Sequence, residues 1–219
     1  EYSALHAAGV FEFAQGLRLV AERGRLMQEA GDRESGKMVA VVGLGDDAVD
    51  ELCADVSDEV SVAVAANFNA PGQIVVSGHL DAVNVFGIKA VEAGAKRIID
   101  LPVSAAFHSR LMAPAAEQMA ALIQDAQMLA PGVPVVTNVA AQPSEAVDDL
   151  RRQLIDQMTS PVRWTQSVGA LSSMGVTEAF EVGPGAVLKG LVRRITPVIE
   201  VMTAGTAEDI TTAASANGG

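Results

Sequence analysis

The apolar positions of this 219-residue chain fall into alternating segments of helical and strand period. Residues 1–10 read as a short apolar helix ending near Gly9. A longer helix follows over 11–30. At about 100° per residue, Phe13, Leu17, Val20, Gly24 and Met27 share one stripe, which Leu19 and Leu26 widen. Arg18, Glu22, Arg25 and Glu29 form the opposite, solvated face. Arg23 falls inside the apolar arc. An inward arginine calls for an anion, because an unpaired buried charge is costly. The alternatives are a structural salt bridge or a side chain that snorkels to water.

After a loop at 31–36 the period changes to two. Strands are predicted at 38–43, 60–68, 73–77 and 95–101, with helices at 46–55 and 80–93. Asp46 or Asp47 is the expected cap of the first helix, and Gly94 ends the second. Asn69-Ala70-Pro71-Gly72 reads as the turn between the two middle strands. The order is βαββαβ, that of a split-βαβ, ferredoxin-like unit. Beyond it come a helix at 111–128, a strand at 133–139 and a helix at 144–158 with Ser144 as cap. Pro161-Val162-Arg163-Trp164 breaks that helix. A helix at 165–174, a strand at 177–182, a Gly183-Pro184-Gly185 turn, a helix at 186–195 and a strand at 198–202 follow. Residues 204–219 read as a frayed tail.

The predicted class is therefore α/β. A parallel-sheet, α/β-hydrolase-like core occupies 1–36 and 103–219, and a ferredoxin-like subdomain is inserted at 37–102. Three strands do not complete such a core. The opening Glu1-Tyr2-Ser3-Ala4-Leu5 has no initiator Met and no N-cap. It reads as a helix already under way, so more of the core is expected upstream of Glu1.

A net charge of −12 argues against nucleic acid, whose binding rests on Lys and Arg meeting phosphate. It argues equally against an anionic membrane surface. No run reaches the roughly 18 apolar residues of a membrane span. The single cysteine, Cys53, fits a reducing cytoplasm and reads as a small apolar filler among carboxylates.

Candidate chemistry centres on residues 97–112. A β-branched run, Arg97-Ile98-Ile99-Asp100-Leu101-Pro102-Val103, gives way to small residues and then Phe107-His108-Ser109. A histidine at the end of a strand sits at the rim of a sheet, where open α/β folds place their ligands. His108 is the candidate base; the alternative is a histidine satisfied by local backbone.

Several short motifs run in one order over nearly the whole chain: Glu1-Tyr2-Ser3-Ala4-Leu5, Arg23-Gly24, Asn67-Phe68-Asn69-Ala70-Pro71-Gly72-Gln73, Ala105-Ala106-Phe107-His108-Ser109, Pro161-Val162-Arg163-Trp164 and Glu181-Val182-Gly183-Pro184-Gly185. Together they resemble the malonyl-CoA:acyl-carrier-protein transacylases, the acyltransferase family of fatty-acid and polyketide synthesis. The resemblance implies ping-pong transfer of a malonyl group from coenzyme A to a serine, and then to the phosphopantetheine thiol of acyl carrier protein. It makes His108 the base and places Gln157 where a main-chain carbonyl orients that imidazole. It makes Arg23 the cation for the malonyl carboxylate. Phe107 agrees with the malonyl-selecting pattern; taken alone it reads as a core aromatic. Asn69 is a candidate for the substrate channel, or plain turn chemistry. Gly183-Pro184-Gly185 could offer amides to an anion, or be a turn. No cofactor is implied beyond the coenzyme A thioester as substrate.

One part of the family pattern is missing. The nucleophile belongs in a Gly-x-Ser-x-Gly elbow, and no such elbow occurs in the 219 residues. The resemblance places it directly before Glu1, and the glutamine loop of the oxyanion hole further upstream. An acidic carrier protein calls for a local basic patch on this acidic chain. Arg151-Arg152, Arg163 and Lys189 with Arg193-Arg194 are the candidates. The alternative functions are a serine hydrolase on a similar core and a non-catalytic fragment that binds the carrier protein.

Overall fold

A computed structural model describes residues 1–216, with side chains described to 212. The chain divides into two compact units, Glu1–Ser167 and Val168–Gly219. The first unit runs α1 (Tyr2–Ala7), α2 (Phe13–Arg33), β1 (Gly36–Val42), α3 (Asp46–Asp55), β2 (Ala63–Ala70), β3 (Gln73–His79), α4 (Leu80–Glu92) and β4 (Arg97–Asp100). A 3-10 turn at Arg110–Met112 leads into α5 (Ala113–Asp125), then β5 (Val135–Val136), β6 (Pro143–Ser144) and α6 (Val147–Asp156). Helix α7 (Trp164–Ser173) crosses the boundary in sequence. The second unit holds β7 (Glu178–Val182), α8 (Val187–Ile195), β8 (Glu200–Ala204) and α9 (Ala207–Ala216).

Strands β1 to β4 form one sheet in the order β2-β3-β1-β4, and every neighbouring pair is antiparallel. Strand alternation gives the sheet two apolar faces. Val39 and Val41 pack with Ile74, Val76, Val83, Phe86 and Cys53 beneath α3 and α4. Met38, Ala66 and Val75 face the other way, with Ala40, Leu101 and Phe107 against them. Burying each large side chain of this kind contributes about 1.5–3 kcal/mol. Helix α3 has the expected bounds but a different start: Gly45 holds the N-cap position without a side-chain bond, and Asp46 and Asp47 lie in the first turn. There their charges meet the positive end of the helix dipole.

The helical layer of the first unit has its own core. Tyr2, Leu5, Leu19, Leu26, Met27 and Ala30 pack with Met112, Met119, Ile123, Leu150 and Leu154. This corrects the expected stripe of α2. Phe13, Leu17 and Val20 are 64%, 56% and 45% exposed, whereas Gly16, Leu19, Leu26, Met27, Ala30 and Gly31 are buried. At about 100° per residue the buried set is centred on position 23. The helix buries its small residues because a close approach, not side-chain bulk, chooses the face. An added Cβ on Gly31 would lie 2.7 Å from the Ala105 Cβ, and one on Gly36 2.5 Å from the Ala106 Cβ.

Other expectations also shift. Residues 133–139 yield only the two-residue strand β5, antiparallel to β6. Pro134 has no N–H to give a ladder. Past Val136 the backbone is engaged elsewhere: the Asn138 N–H donates to a Glu1 carboxylate oxygen at 2.8 Å, and the Asn138 carbonyl accepts from the Arg163 N–H at 3.1 Å. Ser144 lies in β6 and does not cap α6, whose N-cap position is Ala146. In the second unit β7 and β8 are parallel neighbours, Glu178 opposite Glu200 through Val182 opposite Ala204. The expected tail at 204–219 is helical over Ala207–Ala216. The Thr206 hydroxyl accepts from the Asp209 N–H at 3.1 Å, and an Asp209 carboxylate oxygen accepts from the Thr206 N–H at 3.1 Å. This reciprocal capping box starts the helix. The remaining tail residues, 217–219, lie outside the described residues.

Candidate active site

The segment from β4 to α5 is where the sequence concentrates chemistry, and its local packing explains how His108 is presented. Ala105 and Ala106 are buried against Gly31 and Gly36. The Gly36 N–H donates to the Ser104 carbonyl at 3.0 Å. The Ser109 hydroxyl donates to the Ala106 carbonyl at 2.6 Å, and its oxygen accepts from the Leu111 N–H at 3.3 Å. Between these anchors His108 has a φ of 60°, in the left-handed region. For a residue with a Cβ that conformation costs about 1–2 kcal/mol. The fixed contacts on both sides hold it.

The imidazole points to the far end of α6. Its Nδ1–H donates to the Gln157 carbonyl at 3.0 Å and to the Ser160 carbonyl at 3.1 Å. Carbonyls only accept, so the proton sits on Nδ1, and Nε2 keeps its lone pair. Burial is the largest influence on the ring's proton affinity and pushes its pKa below 6.5. The Gln157 bond pulls it back up, the Arg23 charge pushes it down, and the Ser160 bond pulls it up. The ring is neutral at pH 7, the state a base requires. Gln157 enters only through its main chain. Its own N–H donates to the Gln153 carbonyl at 3.0 Å.

Arg23 lies at the centre of the buried face of α2. Its Nε is buried and has no hydrogen-bond partner. The guanidinium charge acts on both His108 and Tyr2, so the two candidate groups share one electrostatic neighbourhood. Tyr2 is buried, its pKa is pushed up to about 12 by burial, and its hydroxyl has no partner. One carboxylate oxygen of Glu1 is likewise buried and unpartnered. Phe107 is half-buried and packs against both the helical core and the inner sheet face. Asn69 is not on a turn. The register slips between Phe68 and Ala70, so Asn69 is a half-buried bulge residue within β2. Sequence alternation alone does not reveal a bulge.

Two other expectations are resolved by occupied partners. The amides at the start of α8 already face an anion: Glu181 is buried, and its carboxylate oxygens accept from the Leu188 and Lys189 N–H groups at 2.9 and 2.8 Å. Arg151 is tied to the end of α5. Its guanidinium donates to the carbonyls of Ile123, Gln124 and Ala126 at the end of α5. Arg152 pairs with Asp149 at 2.7 Å. Cys53 is buried and its thiol pKa is pushed up to about 12, mainly by burial. Among the described residues no group of three His, Cys, Asp or Glu is placed to hold a metal ion. None of their helices is long and apolar enough to cross a membrane.

Sequence reasoning missed Ser160 and Arg110. The Arg110 guanidinium donates to the Glu59 and Val60 carbonyls at 2.9 and 3.1 Å. No sequence signal marks a main-chain carbonyl as a partner. The position of Arg110 two residues after the histidine is the only local hint.

The chain is 44% identical over 204 residues to the malonyl CoA-acyl carrier protein transacylase of Escherichia coli strain K12, covering 93% of this chain. The chain spans 65% of that relative's length. An acyl carrier protein S-malonyltransferase structure from Vibrio cholerae superposes with a TM-score of 0.91 at 41% identity, over 97% of this chain and 69% of that one. A malonyl-transacylase solved in complex with a type II polyketide acyl-carrier protein superposes with a TM-score of 0.92 at 38% identity, over 99% and 70%. The α/β fold is that of these enzymes. The sequence pattern of the acyl transferase domain matches residues 1–214, and the chain belongs to that family.

Proposed function

We propose that this chain carries the base and the carboxylate clamp of a malonyl-CoA:acyl-carrier-protein transacylase, acting in fatty-acid biosynthesis. The observation that carries the reading is Arg23. Natural structures rarely leave a buried donor unpaired, and an unmade bond to a charged group costs more than a neutral one. A half-buried guanidinium whose Nε has no protein partner, beside a neutral, oriented imidazole, suits a substrate whose far end is a carboxylate. A neutral acyl ester would give it nothing to bind.

The reaction follows in two halves. The acceptor serine lies in a segment outside the 219 residues, in the elbow that the family order places before Glu1. His108 Nε2 takes the proton of its hydroxyl as the oxygen attacks the thioester carbonyl. The carbon–sulfur bond breaks, and the coenzyme A thiolate leaves with the proton from the imidazolium. In the second half His108 takes the proton of the phosphopantetheine thiol. The sulfur attacks the serine ester, and the serine oxygen leaves with that proton. Throughout, the Gln157 carbonyl holds the Nδ1–H tautomer and stabilises the imidazolium as it forms. The oxyanion is assigned to donors of the upstream segment. Phe107 limits branching on the acyl chain, and Asn69 lines the channel beside β2.

The same reading gives the domains. An α/β-hydrolase-like core takes 1–36 and 103–219, and a ferredoxin-like subdomain takes 37–102. The antiparallel order β2-β3-β1-β4 and the separate apolar cluster beneath α3 and α4 support the subdomain. The partners are malonyl-CoA and acyl carrier protein. The reaction needs no resident cofactor, and the lone buried cysteine supports a cytoplasmic setting. The test is intact-mass analysis of the chain, expressed with the residues encoded ahead of Glu1, after brief exposure to malonyl-CoA. One malonyl adduct, discharged by holo carrier protein, is expected. A folded protein that gains no adduct contradicts the reading.

A further inference from the structure

The second acceptor of the His108 proton belongs to a segment whose position is set by the edge of the sheet. Residues 160–165 lie beside β2, the edge strand next to β3. Val162 forms a parallel bridge with Asn67. The Val162 N–H donates to the Ala66 carbonyl at 2.8 Å, and the Val162 carbonyl accepts from the Phe68 N–H at 2.9 Å. The Thr165 hydroxyl adds a bond to the Phe68 carbonyl at 3.0 Å. Two residues before Val162, the Ser160 carbonyl accepts from His108 Nδ1.

We propose that Val162 and Thr165 are positioning residues: by pinning the 160–165 strap to the edge of β2 they hold the Ser160 carbonyl against His108. This rests on the reading of His108 as the base and deepens it. The strap makes the strength of that base depend on where the βαββαβ sheet sits relative to α6. A carbonyl on Nδ1–H favours the imidazolium over the neutral ring. Gln157 supplies one such carbonyl from the end of α6, and Ser160 supplies the other through the sheet. The charged group that acts on the ring from α2 is Arg23, and the strap leaves it untouched.

The test is the titration of the histidine ring C–H signals by NMR in the protein expressed with the residues encoded ahead of Glu1. Val162→Pro removes the N–H that bonds Ala66. Thr165→Val removes only the hydroxyl and keeps the shape. The His108 midpoint is expected to fall in both variants, by roughly half a pH unit in Val162→Pro, with a smaller fall in Thr165→Val. If Val162→Pro fails to fold, Thr165→Val decides alone. An unchanged His108 midpoint in a folded variant overturns the proposal, whatever happens to the melting temperature. The readout needs no substrate, so a shift without malonyl transfer would sink the functional reading and leave the positioning role standing.

Discussion

Helix α2 and the seam between α5 and α6 each hold an arginine that reaches inward, and they treat it in opposite ways. At the seam the Arg151 guanidinium is held by protein carbonyls. It donates to three carbonyls in and just past the last turn of α5, groups that a helix end leaves unpaired. On α2 the Arg23 Nε is buried without a protein partner, as are the Tyr2 hydroxyl and one Glu1 carboxylate oxygen. A hydrogen bond to a charged donor contributes about 1.5–3 kcal/mol, and a buried donor left without one costs stability. On the proposed reading, the contrast separates an arginine that ties two helices together from one that binds the substrate carboxylate, although both lie on amphipathic helices.

On that division, changes around His108 and Arg23 appear in rates and changes at the seam appear in melting. The largest effect belongs to the base. His108→Ala is expected to slow acyl transfer by about 10²–10⁴-fold, measured by discharge to carrier protein, with the melting temperature little changed. Next comes Gly36→Ala. Its methyl would lie 2.5 Å from the Ala106 Cβ and 2.6 Å from the Ala106 N, which shifts the segment that presents His108. Misplacing a catalytic group by about 1 Å costs on the order of 10²-fold, so transfer should fall by about that factor with substrate affinity retained. At the seam, Arg151→Ala should lower stability by about 1–3 kcal/mol in urea unfolding and leave the choice between acyl groups as it was. A change in acyl preference there would erase the contrast.

The smallest effect is a shift in pH dependence. The folded-state pKa of His108 lies below its usual value, so the base stays neutral until the pH drops through that lowered value. The acid limb of kcat/KM should therefore have its midpoint below about 6.5. Arg23→Met removes one of the causes of the lowering, so its midpoint should move up. A midpoint that stays put would detach Arg23 from His108.

Much of this molecule is legible in its sequence where a segment carries its own neighbours. The βαββαβ run is such a segment, and α3 appears at the predicted bounds because its partners lie within sixty residues of it. Strand ends move by a few residues, since pairing partners and not composition set them. The face of α2 was legible in part, for Leu19, Leu26 and Met27 are buried as expected while Phe13, Leu17 and Val20 are exposed. Phe13 and Leu17 suggest one stripe by size, while Gly16, Ala30 and Gly31 allow the close approach that decides the other. Residues 133–139 were equally opaque, because Pro134 and the bonds of Asn138 end the ladder after two residues. At the site, side chains could be named from the sequence but their partners could not. The carbonyls of Gln157 and Ser160 belong to residues whose own side chains play no part.

The central claim is that Arg23 exists to grip a carboxylate. The most direct measurement is the ratio of malonyl to acetyl transfer in the protein expressed with the residues encoded ahead of Glu1, compared between the native protein and Arg23→Ala. A charged hydrogen-bonded contact contributes about 1.5–3 kcal/mol. The account therefore predicts that the malonyl preference falls by roughly 10–100-fold while acetyl transfer persists or rises. An unchanged ratio in the folded variant would contradict it.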